Sequence, residues 1–304
     1  MKPFSYVRPD TPAAAVEAFA AAGAEARYIA GGTTLYDLMK LDIERPGHLI
    51  DVTAIEGLDR IETGGRELRF EALAPMADVA EDPVVLRDYP VLAEALAKAA
   101  SQQLRNMATV GGNLLQRTRC AYFRGGPQGA YPCNKREPGS GCAAMDGLDR
   151  GQAVLGQSSS CNAVSPGDWP VALVALDARV ELLGPSGARS VPVGELYRLP
   201  GETPHLEFNL EPGEMITAIV VPKTPAGRLS TYHKIRDRES YAFALASAAE
   251  SLLAGRVLTP ETAMEAGRAA FAEARPGHHN GFKIELGART VADALMMAAG
   301  RTGQ

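Results

Sequence analysis

Arg27-Tyr28-Ile29-Ala30-Gly31-Gly32-Thr33-Thr34-Leu35 is the stretch on which the reading of this 304-residue chain turns. Arg27–Ala30 reads as a short strand. It runs straight into two glycines and two threonines, and Leu35 to Leu41 then reads as a helix. Adjacent glycines let the backbone reach positive φ and let a ligand come close. Successive N–H groups in such a turn can point into one concavity and hold a phosphate, with threonine hydroxyls as extra donors. A Gly-Gly turn between strand and helix is also common without any ligand, and for this stretch alone that plain reading is the stronger.

Outward from it, Phe4–Val7 reads as a strand. Thr11 and Pro12 give a helix start as N-cap and first helical residue. Alanine-rich residues 13–22 continue the helix, Gly23 ends it, and His48–Val52 is a third strand. This β-α-β-α-β alternation predicts a small α/β unit. A second unit begins near Leu68-Arg69-Phe70, followed by a helix over 90–100. Thr109-Val110-Gly111-Gly112-Asn113 then repeats the glycine chemistry as a second loop. Two such loops suit a diphosphate reached from two sides. The G-x-G-x-x-G spacing of a Rossmann turn is absent. Regular structure returns with a helix at 168–177 and a hairpin over Arg179–Leu183 and Ser190–Val193, turning at Gly184-Pro185-Ser186-Gly187. Strands at Met215–Val221, Ser230–Arg236 and Ala242–Ser247 and helices at 260–274 and 283–299 complete the chain.

Between these regions, residues 117–167 are rich in Gly, Pro and Ser, show little periodicity and hold all four cysteines of the chain: Cys120, Cys133, Cys142 and Cys161. Random placement would cluster them this tightly on the order of one time in a hundred. Cysteine-free flanks are unlike a disulfide-rich secreted scaffold. The spacing, Cys-x12-Cys-x8-Cys-x18-Cys, lacks the tight pairs usual for structural zinc. It suits an iron–sulfur cluster first, zinc second, and disulfides or unliganded thiols after these. A net charge of −5 argues against a non-specific nucleic-acid binder. No apolar run approaches a membrane span. The N-terminal Met1–Val7 lacks the apolar core of a secretory signal.

Ile29–Leu35, Asp37-Leu38-Met39-Lys40, and Gln103–Asn106 through Gly111–Gln116 closely resemble the flavin subunits or domains of the xanthine dehydrogenase (molybdenum hydroxylase) family. So do Ser165–Asp168, Pro212–Ile216 and Lys234–Arg238, so the resemblance spans nearly the whole chain. It implies an α+β fold. A two-lobed FAD-binding domain of the PCMH type would cover 1–223, with a small α/β lobe at about 1–56 and a larger α+β lobe at 57–223. A small α+β C-terminal domain would cover 224–304. Against the family pattern about 20 residues are missing near 254–259. The resemblance implies FAD contacts from Arg27, Tyr28, Ile29, Ala30, Gly31, Gly32, Thr33, Thr34, Leu35, Thr109, Gly111, Gly112, Asn113, Asp168 and Lys234. Thr34 stands where the family usually has Asn or Asp.

Most flavin subunits of the family lack the cysteine insertion. Thr118–Phe123, Pro132–Arg136, Pro138–Ala144 and Cys161 look most like the version in bacterial periplasmic aldehyde oxidoreductases, which binds a 4Fe–4S cluster on Cys120, Cys133, Cys142 and Cys161. The implied partners are a large molybdenum-cofactor subunit and a small 2Fe–2S subunit, and electrons would pass through FAD to an external acceptor. The implied location is the periplasm, reached with a signal-bearing partner; otherwise the cytoplasm. A 4-hydroxybenzoyl-CoA-reductase-type flavin subunit and a stand-alone flavin oxidase are the alternatives. The second needs a substrate-capping domain for which about 80 residues after the FAD-type region are few. A zinc-loop interaction module would leave both glycine stretches unexplained. His278-His279 is expected in a solvated loop, Trp169 in packing, and Met296 and Met297 in the core. Arg236, Arg238 and Glu239 read equally as a solvated turn. No Ser-His-Asp or His-Glu-x-x-His pattern supports a hydrolase.

Overall fold

The computed structural model describes residues 1–125, 130–239, 241–250 and 257–301. Its first unit alternates β1 (Ser5–Val7), α1 (Pro12–Ala22), β2 (Ala26–Ile29), α2 (Leu35–Lys40) and β3 (His48–Asp51). Thr11 caps α1 by accepting from the Ala14 N–H at 3.2 Å, and Pro12 opens it. The three strands form a parallel sheet in the order β1-β3-β2, which puts the turn after β2 at the strands' C-terminal ends.

The second unit is a five-stranded antiparallel sheet with helices packed on it. β4 (Ile61–Glu62) and β5 (Glu67–Glu71) lead into five short helices: α3 (Met76–Glu81), α4 (Pro83–Asp88), α5 (Pro90–Ala97), α6 (Gln102–Met107) and α7 (Val110–Leu114). After the cysteine region, which holds α8 (Ala121–Arg124), come α9 (Trp169–Ala175), β6 (Arg179–Gly184), β7 (Gly187–Pro192), α10 (Val193–Leu196) and β8 (Met215–Pro222). The strand order β4-β5-β8-β6-β7 makes β8 central, and its near-continuous apolar run, Met215-Ile216-Thr217-Ala218-Ile219-Val220-Val221, is buried accordingly. Phe70 and Trp169, both fully buried, meet edge to face at 5.8 Å in this core, so Trp169 is a packing residue.

The chain closes with a hairpin of β9 (Thr231–Ile235) and β10 (Ala246–Glu250), then α11 (Pro260–Ala270) and α12 (Phe282–Gly300). The last strand starts later than the sequence predicts, because pairing begins at Ile235 with Ala246. Met296 and Met297 are exposed, contrary to expectation. α12 buries its small residues instead, including Ala288, Ala292 and Ala298, which lets α11 approach closely at Gly267. Half of the expected join near 254–259 lies outside the described residues, which stop at 250 and resume at 257. Among the described residues no helix is long and apolar enough to cross a membrane.

Candidate cofactor cavity and cysteine site

The turn after β2 opens onto a cavity of about 720 Å³ between the two sheets, within the usual ligand-pocket range of roughly 300–1,000 Å³. Every residue from Arg27 to Leu35 lines it, as do Thr109, Gly111 and Gly112. Among the described residues the N–H groups of Gly32, Thr33 and Thr34 have no protein acceptor, as a phosphate nest requires. The Tyr28 hydroxyl donates to the Gly213 carbonyl at 2.8 Å, bridging the first unit to the loop before β8.

The four glycines differ in what they do. An added Cβ on Gly31 would overlap the Met107 carbonyl, and one on Gly111 would press on Ala72 at 2.8 Å. Gly31 lets the two units meet and Gly111 lets α7 pack on the end of β5, so close approach of a ligand is not needed to explain either. Gly32 adopts φ +71°, the left-handed region. Gly112 differs again. A Cβ there would meet only Thr109 Oγ1, at 3.0 Å, and would otherwise extend into the cavity. The second glycine stretch is also not the predicted loop. Thr109 caps α7 by accepting from Gly112 N–H at 3.2 Å, so Gly111 and Gly112 occupy its first turn.

Apart from Arg27, sequence reasoning missed the charges on the lining. Glu44 accepts from Arg27 at 3.2 Å and from Arg117 at 2.6 Å. Glu207 accepts from Arg117 at 2.6 Å and pairs with Lys135 at 3.2 Å. Three cations on two carboxylates leave one positive charge over, and Arg136, which donates to main-chain carbonyls, adds another. Glu211 and Glu214 also line the cavity, the second held by Arg189 at 2.5 Å, so the positive excess is local to the Arg27, Arg117 and Lys135 wall and the lining as a whole is balanced. Arg117, Lys135 and Arg136 come from the cysteine region, so that region is a wall of the cavity.

Three predicted contacts stand apart from the lining. Asn113 donates to Met76 Sδ at 3.4 Å, and its Oδ1 is buried with no partner among the described residues. Asp168 and Lys234 form a buried ion pair at 2.9 Å, with the Tyr232 hydroxyl on the other carboxylate oxygen at 2.6 Å. Burial pushes the Asp168 carboxyl up, and burial likewise pulls the Lys234 ammonium down; each offsets the other's shift.

The cysteine region carries little regular structure beyond α8. Cys133 and Cys142 pair across an isolated bridge, and Cys120, Cys133 and Cys142 share one apolar cluster with Phe123, Leu38 and Ile43. Cys120 Sγ accepts from Gln152 Nε2 at 3.4 Å and Cys161 Sγ from the Ala163 N–H at 3.4 Å. Burial raises the Cys120 and Cys161 thiols; the neighbouring Cys133 adds to the first, and Cys142 and Cys120 to the second. Ala163, two residues after Cys161, packs against the cluster of the other three cysteines. Among the described residues no group of three or more His, Cys, Asp or Glu side chains is placed to hold a metal ion. Asp37 on α2 receives both Arg119, at 3.3 Å, and Arg124, tying the region to the first unit. His278-His279 is exposed, yet pinned: the buried Asp149 carboxylate accepts both backbone N–H groups, at 2.7 and 2.8 Å, and lies 2.9 Å from His279 Nδ1. Arg236 donates to the Lys98 carbonyl and Arg238 to that of Tyr241.

Comparison with known proteins agrees with this architecture. The chain is 47% identical to the aldehyde oxidoreductase FAD-binding subunit PaoB of Escherichia coli (strain K12), over 98% of this chain and 99% of that one. That alignment runs over 321 positions, more than this chain's 304 residues, so the relative carries residues absent here. The carbon monoxide dehydrogenase medium chain of Afipia carboxidovorans is 27% identical over 84% of this chain and 72% of its own length. In fold, the chain superposes on a carbon monoxide dehydrogenase from Hydrogenophaga pseudoflava with a TM-score of 0.72 and 24% identity, covering 98% of each. Residues 2–224 match the family described as the FAD binding domain in molybdopterin dehydrogenase, and the chain belongs to that family of oxidoreductase flavoproteins.

Proposed function

We propose that the chain is the FAD- and 4Fe–4S-containing electron-transfer subunit of a molybdenum-dependent aldehyde oxidoreductase. A large molybdenum-cofactor subunit would oxidise the aldehyde, and a small 2Fe–2S subunit would relay electrons to this chain and on to an external acceptor. The observation that carries this reading is shared packing. Leu38 and Ile43 line the cavity and also pack in the cysteine cluster, so one layer of side chains separates the two. The aldehyde class rests on the 47% identity to the Escherichia coli subunit.

The cavity lining supports the FAD reading, and the four cysteines supply the donor set for the cluster reading. The N–H groups of Gly32, Thr33 and Thr34, with the surplus charge of the Arg27, Arg117 and Lys135 network, suit a diphosphate. Gly112 leaves room beside it. Bound FAD would supply two-electron uptake and one- or two-electron release. Cys120, Cys133 and Cys142 share one apolar cluster, and Cys120 and Cys161 each receive an N–H donor at sulfur; these four thiols are the donor set for a cluster ligated once per iron. Because burial raises two of these thiols, ligation must release protons. Asp168, Lys234 and Asn113 would contact FAD only beyond the present lining.

The test is reduction by aldehyde. In the assembled complex an aldehyde should bleach the flavin absorption anaerobically, whereas the isolated chain should not respond. Bleaching of the isolated chain would overturn the subunit reading in favour of a stand-alone oxidase. We also propose two domains, 1–223 and 224–304, and export to the periplasm with a signal-bearing partner. Finding the chain in the periplasm of cells lacking that partner would refute the export route.

A further inference from the structure

Gln152 lies where the cysteine region meets the C-terminal helices, and it is 4% exposed. Its Nε2 donates to Cys120 Sγ at 3.4 Å, while its Oε1 is buried with no partner among the described residues. Leaving a buried amide oxygen unpaired is unfavourable, so the amide must be held in this orientation by its surroundings. The main chain of the same residue is also held. The Gln152 N–H donates to the Asp149 carbonyl at 2.8 Å. Its own carbonyl accepts from Lys283 Nζ at 2.9 Å and from Asn280 Nδ2 at 3.4 Å.

Lys283, near the start of α12, is also 4% exposed. The bond to Gln152 is the one hydrogen bond its ammonium makes among the described residues. The carboxylates nearest in charge are otherwise engaged, Asp149 with the His278 and His279 N–H groups and Asp237 with Arg150 at 2.8 Å. A buried positive charge thus stands one residue behind a cysteine sulfur that already receives an N–H donor.

Reducing a thiolate-bound cluster adds one electron and no proton, so the site becomes more negative by one charge. An N–H donor to sulfur and a nearby buried cation both favour that state. We propose that Gln152 and Lys283 are positioning residues that raise the reduction potential of the cluster at Cys120, which makes the C-terminal segment part of the redox site. This rests on the 4Fe–4S reading above.

The experiment is a potentiometric titration of the intact complex, with dithionite as reductant and the cluster followed by electron paramagnetic resonance. Iron and acid-labile sulfide are measured on the same samples. Gln152→Leu removes the donor, Lys283→Met removes the charge, and Lys283→Arg keeps it. Leu and Met variants with wild-type iron and sulfide should each show a reduction equilibrium constant at least tenfold smaller, a fall of about 59 mV for a one-electron couple. Lys283→Arg should stay at the wild-type potential. Unchanged potentials in the Leu and Met variants with the cluster retained would overturn the proposal. So would loss of the cluster in both, which would mark a purely structural role. Absence of iron from the wild-type chain would instead defeat the cluster reading itself.

Discussion

Gly112 separates binding from folding, and Gly112→Ala is the perturbation that uses it. Its Cβ would stand 3.0 Å from Thr109 Oγ1 and otherwise face the cavity. Replacing glycine by alanine inside a helix gains roughly 0.5–1 kcal/mol. Displacing the cap hydroxyl by a few tenths of an ångström weakens an interaction worth about 1 kcal/mol. The two effects nearly cancel, so the flavin-free chain should melt within about 3 °C of wild type. Binding has no such compensation. A methyl group forced against a closely held ligand costs about 1–3 kcal/mol, which weakens FAD by on the order of 5- to 150-fold. Gly112→Val, larger and β-branched, should abolish flavin retention. The other glycines are poor probes. Cβ atoms at Gly31 and Gly111 collide with Met107 and Ala72, and Gly32 pays for its φ of +71°. The assay is flavin released on heat denaturation per chain, together with FAD titration of the deflavinated protein. If both Gly112 variants retain one FAD per chain at wild-type affinity, the cavity is not the FAD site.

Phe70→Ala should destabilise the chain by about 3–5 kcal/mol in urea unfolding, since it empties the space against Trp169 in the central core; a loss below about 1 kcal/mol would contradict the packing described. Cys142→Ser should lose cluster iron and leave residues 117–167 open to limited proteolysis, because that region carries little regular structure beyond α8. Normal assembly and FAD content with much slower turnover would favour electron storage over a structural clip. Asp88 is held by Arg87 and then Arg228, which lower its carboxyl from 3.8 to about 2. A depressed pKa contributes stability that is present above pH 3.8 and lost as pH falls towards 2, so Asp88→Asn should flatten the acid limb over that window. An unchanged acid limb would mean that these ion pairs do not persist in solution.

Where a signal is contiguous and local, the sequence reveals it. Thr11-Pro12 and Gly23 bound α1, and the short stretches at 26–29 and 48–51 that flank the helices give two of the parallel strands. α3 and α4 escape notice because Asp82-Pro83 divides Met76–Asp88 into two six-residue helices, each too short to show a period and held by tertiary packing. The central place of β8 depends on pairing with β5 and β6, from residues far away in sequence. The cavity follows the same rule. Arg27–Leu35 is legible as one turn, whereas Glu44, Arg117, Lys135 and Glu207 come from separate segments and each reads alone as a solvated charge. Their meeting is a property of the fold. His278-His279 resembles a free loop for the same reason, since its partner Asp149 lies 129 residues earlier.

The most direct test of the central claim is the absorption spectrum of the purified chain, with flavin, iron, zinc and acid-labile sulfide measured on the same sample. A chain that holds FAD between its two sheets and a 4Fe–4S cluster on Cys120, Cys133, Cys142 and Cys161 should show flavin bands over a broad iron–sulfur shoulder, with one FAD and four irons per chain. A chain that binds zinc in place of iron, or that carries neither flavin nor iron, would contradict the account.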